Sequence, residues 1–277
     1  MPEGDAVRRT ADRLDRALRG SVLTATDFRV PQLAATDLRG AEVLRTDTHG
    51  KHLLTRLRTA DGQELTLHTH LKMEGSWRTA PAGARAPGPA ADARVVLRSA
   101  KAVAVGLRLG LVELFPTAEE QDVLGHLGPD LLGAWSADDA AEALARLTAD
   151  PDRVLGEALL DQRVVAGIGT IWLAESCFVD GTCPLAPVSA LRDPARYLAR
   201  TRRMLQAALR AGRPVTTGDR RSPVWVYRRQ RDACLRCGTI IVAGQVGEPG
   251  RERTTYWCPH CQPQAPAASV EGVRGVS

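Results

Sequence analysis

Leu160-Asp161-Gln162-Arg163-Val164-Val165-Ala166-Gly167-Ile168-Gly169-Thr170-Ile171-Trp172-Leu173-Ala174-Glu175 is the stretch on which the chain changes character. It reads as the end of one helix, a glycine turn, and the start of a second helix. Gly167 and Gly169 break the helical run, and Thr170 opens the next one. Backbone N–H groups of such a turn, together with a helix N-terminus, make a natural cradle for phosphate. The same Gly-x-Gly pattern also serves plain packing of two helices, so it does not name a function by itself.

Working outward, the residues on either side are helical. Upstream, Gly128-Pro129-Asp130 is a turn, 138–148 a short helix, and 152–165 a helix with Val154, Leu155, Ala158, Leu159 and Val165 inward. Downstream, the spacing predicts helices from 170 to about 178 and from about 194 to 210, the latter ended by Gly212. Before residue 117 the pattern is different. Short strands are expected at 21–28, 41–47, 52–57, 64–70, 94–98, 101–105 and 109–114, punctuated by Gly40, Gly50 and Asp61-Gly62. A helix over 6–19 precedes them, with Val7, Ala11, Leu14 and Leu18 on one face. Residues 79–93, rich in Ala, Pro and Gly, are expected to be a surface loop. The fold class is therefore α+β: an N-terminal antiparallel β-sandwich with a leading helix over 1–117, a helical domain over 128–222, a cysteine-bearing β-hairpin unit over 225–262, and a disordered tail over 263–277.

The chain has 277 residues, 44% of them hydrophobic and 25% charged, as in a water-soluble globular protein of about two domains. No apolar run approaches the ~18 residues that a membrane span needs. The N-terminal stretch carries Asp5, Arg8, Arg9, Asp12 and Arg13 and no apolar signal, so a cytoplasmic, nucleoid-associated location and no membrane partner are expected. A net charge of +5 permits a polyanionic partner. Its distribution says more: Arg213, Arg220, Arg221, Arg228, Arg229 and Arg231 crowd one stretch, which suits phosphate contacts or, equally, a solvated basic loop.

Six cysteines are present, and four of them form Cys234-Leu-Arg-Cys237 and Cys258-Pro-His-Cys261, with 20 residues between the pairs. Two C-x-x-C knuckles in a cytosolic chain point to one structural zinc ion with four thiolate ligands, closed to catalysis. Strands at 239–242 and 254–257 would make the hairpin between them. Arg253, five residues before Cys258, lies where the returning strand can offer it to phosphate.

The first residues, Met1-Pro2-Glu3-Gly4-Asp5, allow an ordinary helix start, since proline and acidic groups favour the first turn. They also allow chemistry. With Met1 removed, Pro2 carries a free secondary amine, which can attack a sugar aldehyde carbon and leave an iminium as electron sink. Glu3 stands beside it to move a proton. A retained Met1 would acylate that nitrogen and abolish the nucleophile. Two further segments fit a nucleic-acid partner. Lys51, in Thr48-His49-Gly50-Lys51-His52, opens a strand and can bind a phosphate or simply face solvent. Met73, in His68-Thr-His-Leu-Lys-Met73-Glu-Gly75, is a wedge for an emptied base stack if exposed, and a core residue if not.

Taken together, Pro2-Glu3-Gly4-Asp5, His49-Gly50-Lys51, His70-Leu-Lys-Met-Glu-Gly75, the 161–175 segment, Val226-Tyr227-Arg228 and Arg253-Thr-Thr-Tyr-Trp-Cys258 resemble the formamidopyrimidine-DNA glycosylase/endonuclease VIII family of DNA-repair enzymes. The resemblance runs from residue 2 to about 262. Pro-Glu-Gly at the start, and no recognisable Arg-Arg-Phe loop near 98–110, are more similar to the endonuclease VIII branch. The resemblance implies a bifunctional DNA glycosylase/AP lyase of base excision repair, favouring oxidised pyrimidines and acting as a monomer on damaged DNA. Pro2 and Glu3 would be catalytic, with Lys51 and Arg253 on the phosphates flanking the lesion. Met73, Gly167, Gly169, Thr170 and Arg228 would bind DNA, and Cys234, Cys237, Cys258 and Cys261 would hold zinc in a β-hairpin finger beside a helix–two-turn–helix. Two departures stand out: Thr170 where the family commonly has Asn, and a long interval between the cysteine pairs. The alternatives are an oxidised-purine glycosylase, a zinc-containing DNA-binding protein without catalysis, and a zinc-ribbon RNA-binding module.

Overall fold

A computed structural model describes residues 2–263. The chain divides between His126 and Leu127 into two units with separate cores. The removal of Met1 and the tail from 264 onward lie outside the described residues.

The first unit begins with α1 (Gly4–Leu18), whose Val7, Ala11, Leu14 and Leu18 are buried at helical spacing. Eight strands follow: β1 (Leu23–Phe28), β2 (Glu42–His49), β3 (His52–Arg58), β4 (Glu64–His70), β5 (Ser76–Pro81), β6 (Ala93–Ser99), β7 (Ala102–Leu107) and β8 (Leu111–Pro116). They form two antiparallel sheets, ordered β1-β6-β7-β5 and β2-β3-β4-β8. Leu23, Val43, Leu53, Leu57, Leu67, Trp77, Val95 and Leu97 from both sheets share one core with the apolar face of α1. The expected loop over 79–93 is corrected by β5, which pairs with β7 from Ser76 to Pro81. Its single buried apolar side chain, Trp77, and its Pro/Ala-rich continuation hide it from a periodicity reading. After β8, the short α2 (Glu120–Leu124) returns to the sheet, where both carboxylate oxygens of Glu120 accept from Arg56 at 2.7 and 2.6 Å.

The second unit contains α3 (Ala137–Thr148), α4 (Leu155–Leu160), α5 (Thr170–Asp180) and α6 (Pro194–Ala211), then the hairpin β9 (Val242–Val246) and β10 (Arg253–Trp257). Ser136 and Asp139 close a reciprocal capping box on α3, and Gly212, at φ +76°, ends α6. The helix expected over 152–165 is only α4, because 161–169 leaves helical geometry for the turns described below. The first hairpin strand lies at 242–246, not 239–242. Gly244 explains the placement: a Cβ there would come within 2.9 Å of the Trp257 ring, so glycine lets Trp257 cross the facing strand. Val246 and Trp257 belong to the same core as Leu155, Leu159, Trp172 and Leu173.

Candidate nucleic-acid interface and metal site

In the first unit, α1 runs antiparallel to β2. Gly20 donates to Val43 O at 2.8 Å, Asp15 accepts from Thr46 N at 2.7 Å, and Arg8 reaches Asp47 at 2.8 Å. The helix start therefore lies toward the end of β2 that carries the β2–β3 turn. Pro2 is half-buried there. Glu3 is only 3% exposed and is the residue on which the helix begins, its carbonyl accepting Val7 N–H at 2.9 Å. Asp5, equally buried, pairs with Arg9 at 2.7 Å. Gly50, at φ +58°, and Lys51 are the central residues of the turn between the paired His49 and His52. Lys51 is 8% exposed, so it is no solvent-facing strand end.

Around this turn the sheet register gathers histidines. His52 pairs with His70, and His68 lies one step inward on the same face of β4. His52 Nδ1 is 2.8 Å from His68 Nε2, and His68 Nδ1 is 3.1 Å from the Glu113 carboxylate. Because Glu113 accepts, His68 carries its proton on Nδ1, and its bare Nε2 accepts from His52 Nδ1–H. Burial, then the neighbouring His68 and His70, push His52 down to about 3. Burial, then the charges of Lys72 and Lys51, push His70 down to about 4. Burial also lowers His68, against the opposing pull of Glu113. At neutral pH the histidines are uncharged, and the cations of this corner are lysines. The motifs contained His52, His68 and His70, but only the sheet register brings them together.

His70 Nδ1 accepts the N–H of Lys72 at 2.8 Å, at the start of the loop into β5. Lys72 takes a left-handed φ of +51°, and Gly75 N–H closes the loop onto Leu71 O at 2.8 Å. A Cβ on Gly75 would stand 2.4 Å from that oxygen. Met73 at the tip is 60% exposed, against the ordinary expectation of a core methionine.

In the second unit, α4 and α5 are joined by two turns. Asp161 binds its own loop: it accepts from Arg163 N at 3.0 Å, from the Arg163 guanidinium at 2.9 and 2.8 Å, and from Arg153 at 3.2 Å. Its hydrogen bonds to Arg163 hold it at about 2, against the opposing effect of burial. Gln162 pins the glycine turn with one amide. Its oxygen accepts Gly167 N–H at 3.0 Å, and its NH2 donates to Leu160 O and Ile168 O at 2.9 and 3.0 Å. Gly167 sits at φ +107°, Gly169 is the N-cap of α5, and Thr170 is the first residue of that helix. Glu175, in the second turn of α5, has 0% exposure. Its carboxylate accepts from the hydroxyl of Thr216 and from three successive backbone N–H groups, Trp225, Val226 and Tyr227, at 2.8 to 2.9 Å. Arg228 follows at once, exposed and in a left-handed conformation. Neither Gln162 nor Glu175 is marked by a motif in the sequence. A glutamate inside the apolar run Ile171-Trp172-Leu173-Ala174-Glu175 was the available signal.

The four sulfur atoms of Cys234, Cys237, Cys258 and Cys261 all lie within 4.8 Å of one another. Cys237 is 3.5 Å from both Cys258 and Cys261. Four sulfurs ~2.3 Å from a central ion, at tetrahedral angles, have this spacing, so the residues fit a metal ion. Arg253 begins β10, pairs with Val246 and is exposed, five residues before the buried Cys258. Among the described residues no helix is long and apolar enough to cross a membrane.

Comparison with known proteins agrees over the whole length. The model of the formamidopyrimidine-DNA glycosylase N-terminal domain matches residues 1–108. A probable endonuclease 8 2 of Streptomyces coelicolor is 49% identical, with 100% of this chain and 99% of that protein covered. The DNA-(apurinic or apyrimidinic site) lyase Nei2 of Mycolicibacterium smegmatis is 46% identical over 95% of this chain and 99% of its own. Among solved structures, Lactococcus lactis Fpg in complex with abasic-site DNA superimposes with a TM-score of 0.75 at 22% identity, covering 94% of this chain and 99% of that one.

Proposed function

The chain belongs to the formamidopyrimidine-DNA glycosylase/endonuclease VIII family, and from that premise we propose that it is a bifunctional DNA glycosylase/AP lyase of base excision repair, with Pro2 as nucleophile. The observation that carries the chemistry is the burial of Glu3, 3% exposed beside a half-buried Pro2, on the helix end nearest the Gly50-Lys51 turn. A carboxyl held out of water next to an amine is suited to proton transfer.

In this reading the Pro2 nitrogen, freed of Met1 and uncharged, attacks C1′ of a nucleotide turned out of the duplex. The damaged base leaves with the bonding pair, and Glu3 protonates the ring oxygen as the sugar opens. The iminium acidifies C2′; loss of that proton drives out the 3′ phosphate (β-elimination), a second proton loss expels the 5′ phosphate where δ-elimination follows, and water then releases the enzyme from the opened sugar. Lys51 and Arg253 hold phosphates beside the lesion. Met73, exposed at its loop tip, fills the emptied stack. Gly167, Gly169 and Thr170 supply the helix-end phosphate site, and Arg228 a further cation. Thr170 offers one hydroxyl donor, less reach than an amide in the same place. Zinc is the metal of the four cysteines, and its role is structural, since four thiolates leave no open position. The substrate is damaged DNA, handled by a monomer in the cytoplasm. Oxidised pyrimidines are favoured over purines, which the Pro2-Glu3-Gly4 start supports.

The test is reductive trapping. Purified protein with a confirmed Pro2 N-terminus is mixed with a duplex bearing one abasic site and treated with borohydride. A covalent complex is expected, and none from a chain whose Pro2 nitrogen is blocked by an N-terminal extension. Absence of a complex from the free-Pro2 protein would leave only DNA binding without catalysis. Parallel digestion of thymine-glycol and 8-oxoguanine duplexes ranks the lesions; faster loss of 8-oxoguanine would reverse the pyrimidine preference.

A further inference from the structure

Left-handed backbone is strained for any residue with a Cβ, and proteins fill it with glycine, then asparagine or aspartate. Among the described residues thirteen glycines occupy positive φ. Among the described residues the four others are all cations: Lys72 at +51°, Arg108 at +46°, Arg228 at +56° and Arg231 at +74°. Aspartate, plentiful in the sequence, fills none of them.

Two of the four have a local structural use. Arg108 pairs with Asp92 at 2.9 Å and Glu74 at 3.5 Å. The stem of Lys72 lies over Gly110, where a Cβ would meet its Cγ at 2.2 Å, and its N–H is the one held by His70. Arg228 and Arg231 have no such account. Both are exposed, on the loop that leads from the Glu175 cradle to Cys234, and neither makes an ion pair among the described residues. The intervening Arg229 shows the contrast. Its guanidinium is taken up by Trp225 O and Ala233 O, both at 2.9 Å, and by Asp232 at 3.3 Å. The loop is held without the other two side chains: Arg229 N–H donates to Val226 O, Arg231 N–H to Ile241 O, and Asp232 N–H to Arg229 O. The Arg228 guanidinium only rests on the ring of Tyr227, 5.4 Å from its centre.

We propose that Arg228 and Arg231 are a phosphate-binding pair, kept at strained positions because their guanidinium groups contact the nucleic-acid backbone. Strain retained at exposed positions with no ion pair to account for it points to a functional demand on the side chain. The fork of donors on each guanidinium suits phosphate oxygens, and the contact is blind to sequence. This rests on the DNA-binding reading above and adds to it the ligand group and a second residue.

The experiment uses the full-length chain and a duplex carrying one non-cleavable abasic analogue. Affinity is measured from about 50 to 200 mM salt for the parent protein, Arg228→Gly, Arg231→Gly, the double variant and the two Arg→Lys variants. Each glycine variant is expected to melt about 2 °C higher, because the left-handed strain is relieved. Each is also expected to bind more weakly, with the slope of log affinity against log salt reduced by about 0.9, and by about 1.8 in the double variant. The lysine variants keep the slope. An unchanged slope in the double variant would overturn the pair, as would glycine variants that melt lower than the parent. A parent protein with no salt-dependent binding would overturn the DNA-binding reading together with this one.

Discussion

Glu175 shows how much one side chain can organise. Its carboxylate is cut off from water and surrounded by donors alone: three backbone N–H groups and a hydroxyl. Charge-assisted bonds of this kind are roughly twice as strong as neutral ones, and they make the charge tolerable in the core. Glu175→Gln keeps the shape but turns an NH2 group toward donors. We expect a loss of about 2–4 kcal/mol in unfolding free energy by urea titration, with Glu175→Asp intermediate. A Gln variant within about 0.5 kcal/mol of the parent would mean that the cradle contributes nothing net. The role of this residue is not legible in the sequence. The charge inside an apolar helix was visible, but its partners lie 41 to 52 positions away, on a segment without regular secondary structure.

At the scale of elements, the metal hairpin is fastened to the helical core through Val246 and Trp257, while its cysteines bring the two knuckles together. Metal analysis of the purified chain is expected to give one zinc per chain. Cys237→Ala is expected to lower that content to near zero and to destabilise the second unit, with the loss visible as increased solvent exposure of Trp257. A Cys237→Ala protein that retains a full equivalent of zinc would remove the four-thiolate site. The cysteine spacing makes this element legible, yet β9 begins three residues later than the apolar run at 239–242 suggests. Thr239–Val242-type apolar residues advertise a strand, whereas the true strand carries Gly244 where Trp257 must pass. In the same way β4 was found at its observed limits, 64–70, because turn residues bracket it. β5 is hidden in the sequence because a Pro/Gly-rich stretch follows it directly. The helix over 152–165 was cut at Leu160 because Asp161 and Gln162 bond their own loop more favourably than a continuing helix. Of the candidate site, the cysteines, Pro2, Glu3 and Lys51 were legible as motifs. The histidine group and Gln162 were not, since they depend on strand register and on side-chain bonds within a turn.

At the scale of the whole molecule, the buried histidines give stability a direction with pH. Unfolded imidazoles take up protons near 6.5, while native His70 does so only at about 4 and His52 at about 3. Between about 4 and 6.5 the unfolded chain therefore binds more protons than the native one. Stability is highest above 6.5 and falls as pH is lowered through that value. We expect urea unfolding at pH 5 to show about 4 kcal/mol less stability than at pH 7, about 2 from each of His52 and His70, and His52→Gln to roughly halve the difference. A pH-independent midpoint across this range would refute the assignment of neutral histidines.

The tie between α5 and the segment after α6 has a thermodynamic consequence. At its first turn α5 carries the Gly167–Thr170 corner, and at its middle it grips residues 225–227, from which Arg228 projects. Fixing these features on one rod means that they hold their separation before any ligand arrives. The conformational freedom of both is lost when the chain folds, not when a phosphate backbone docks. Association then carries a smaller entropic penalty, and a larger share of each contact appears as affinity.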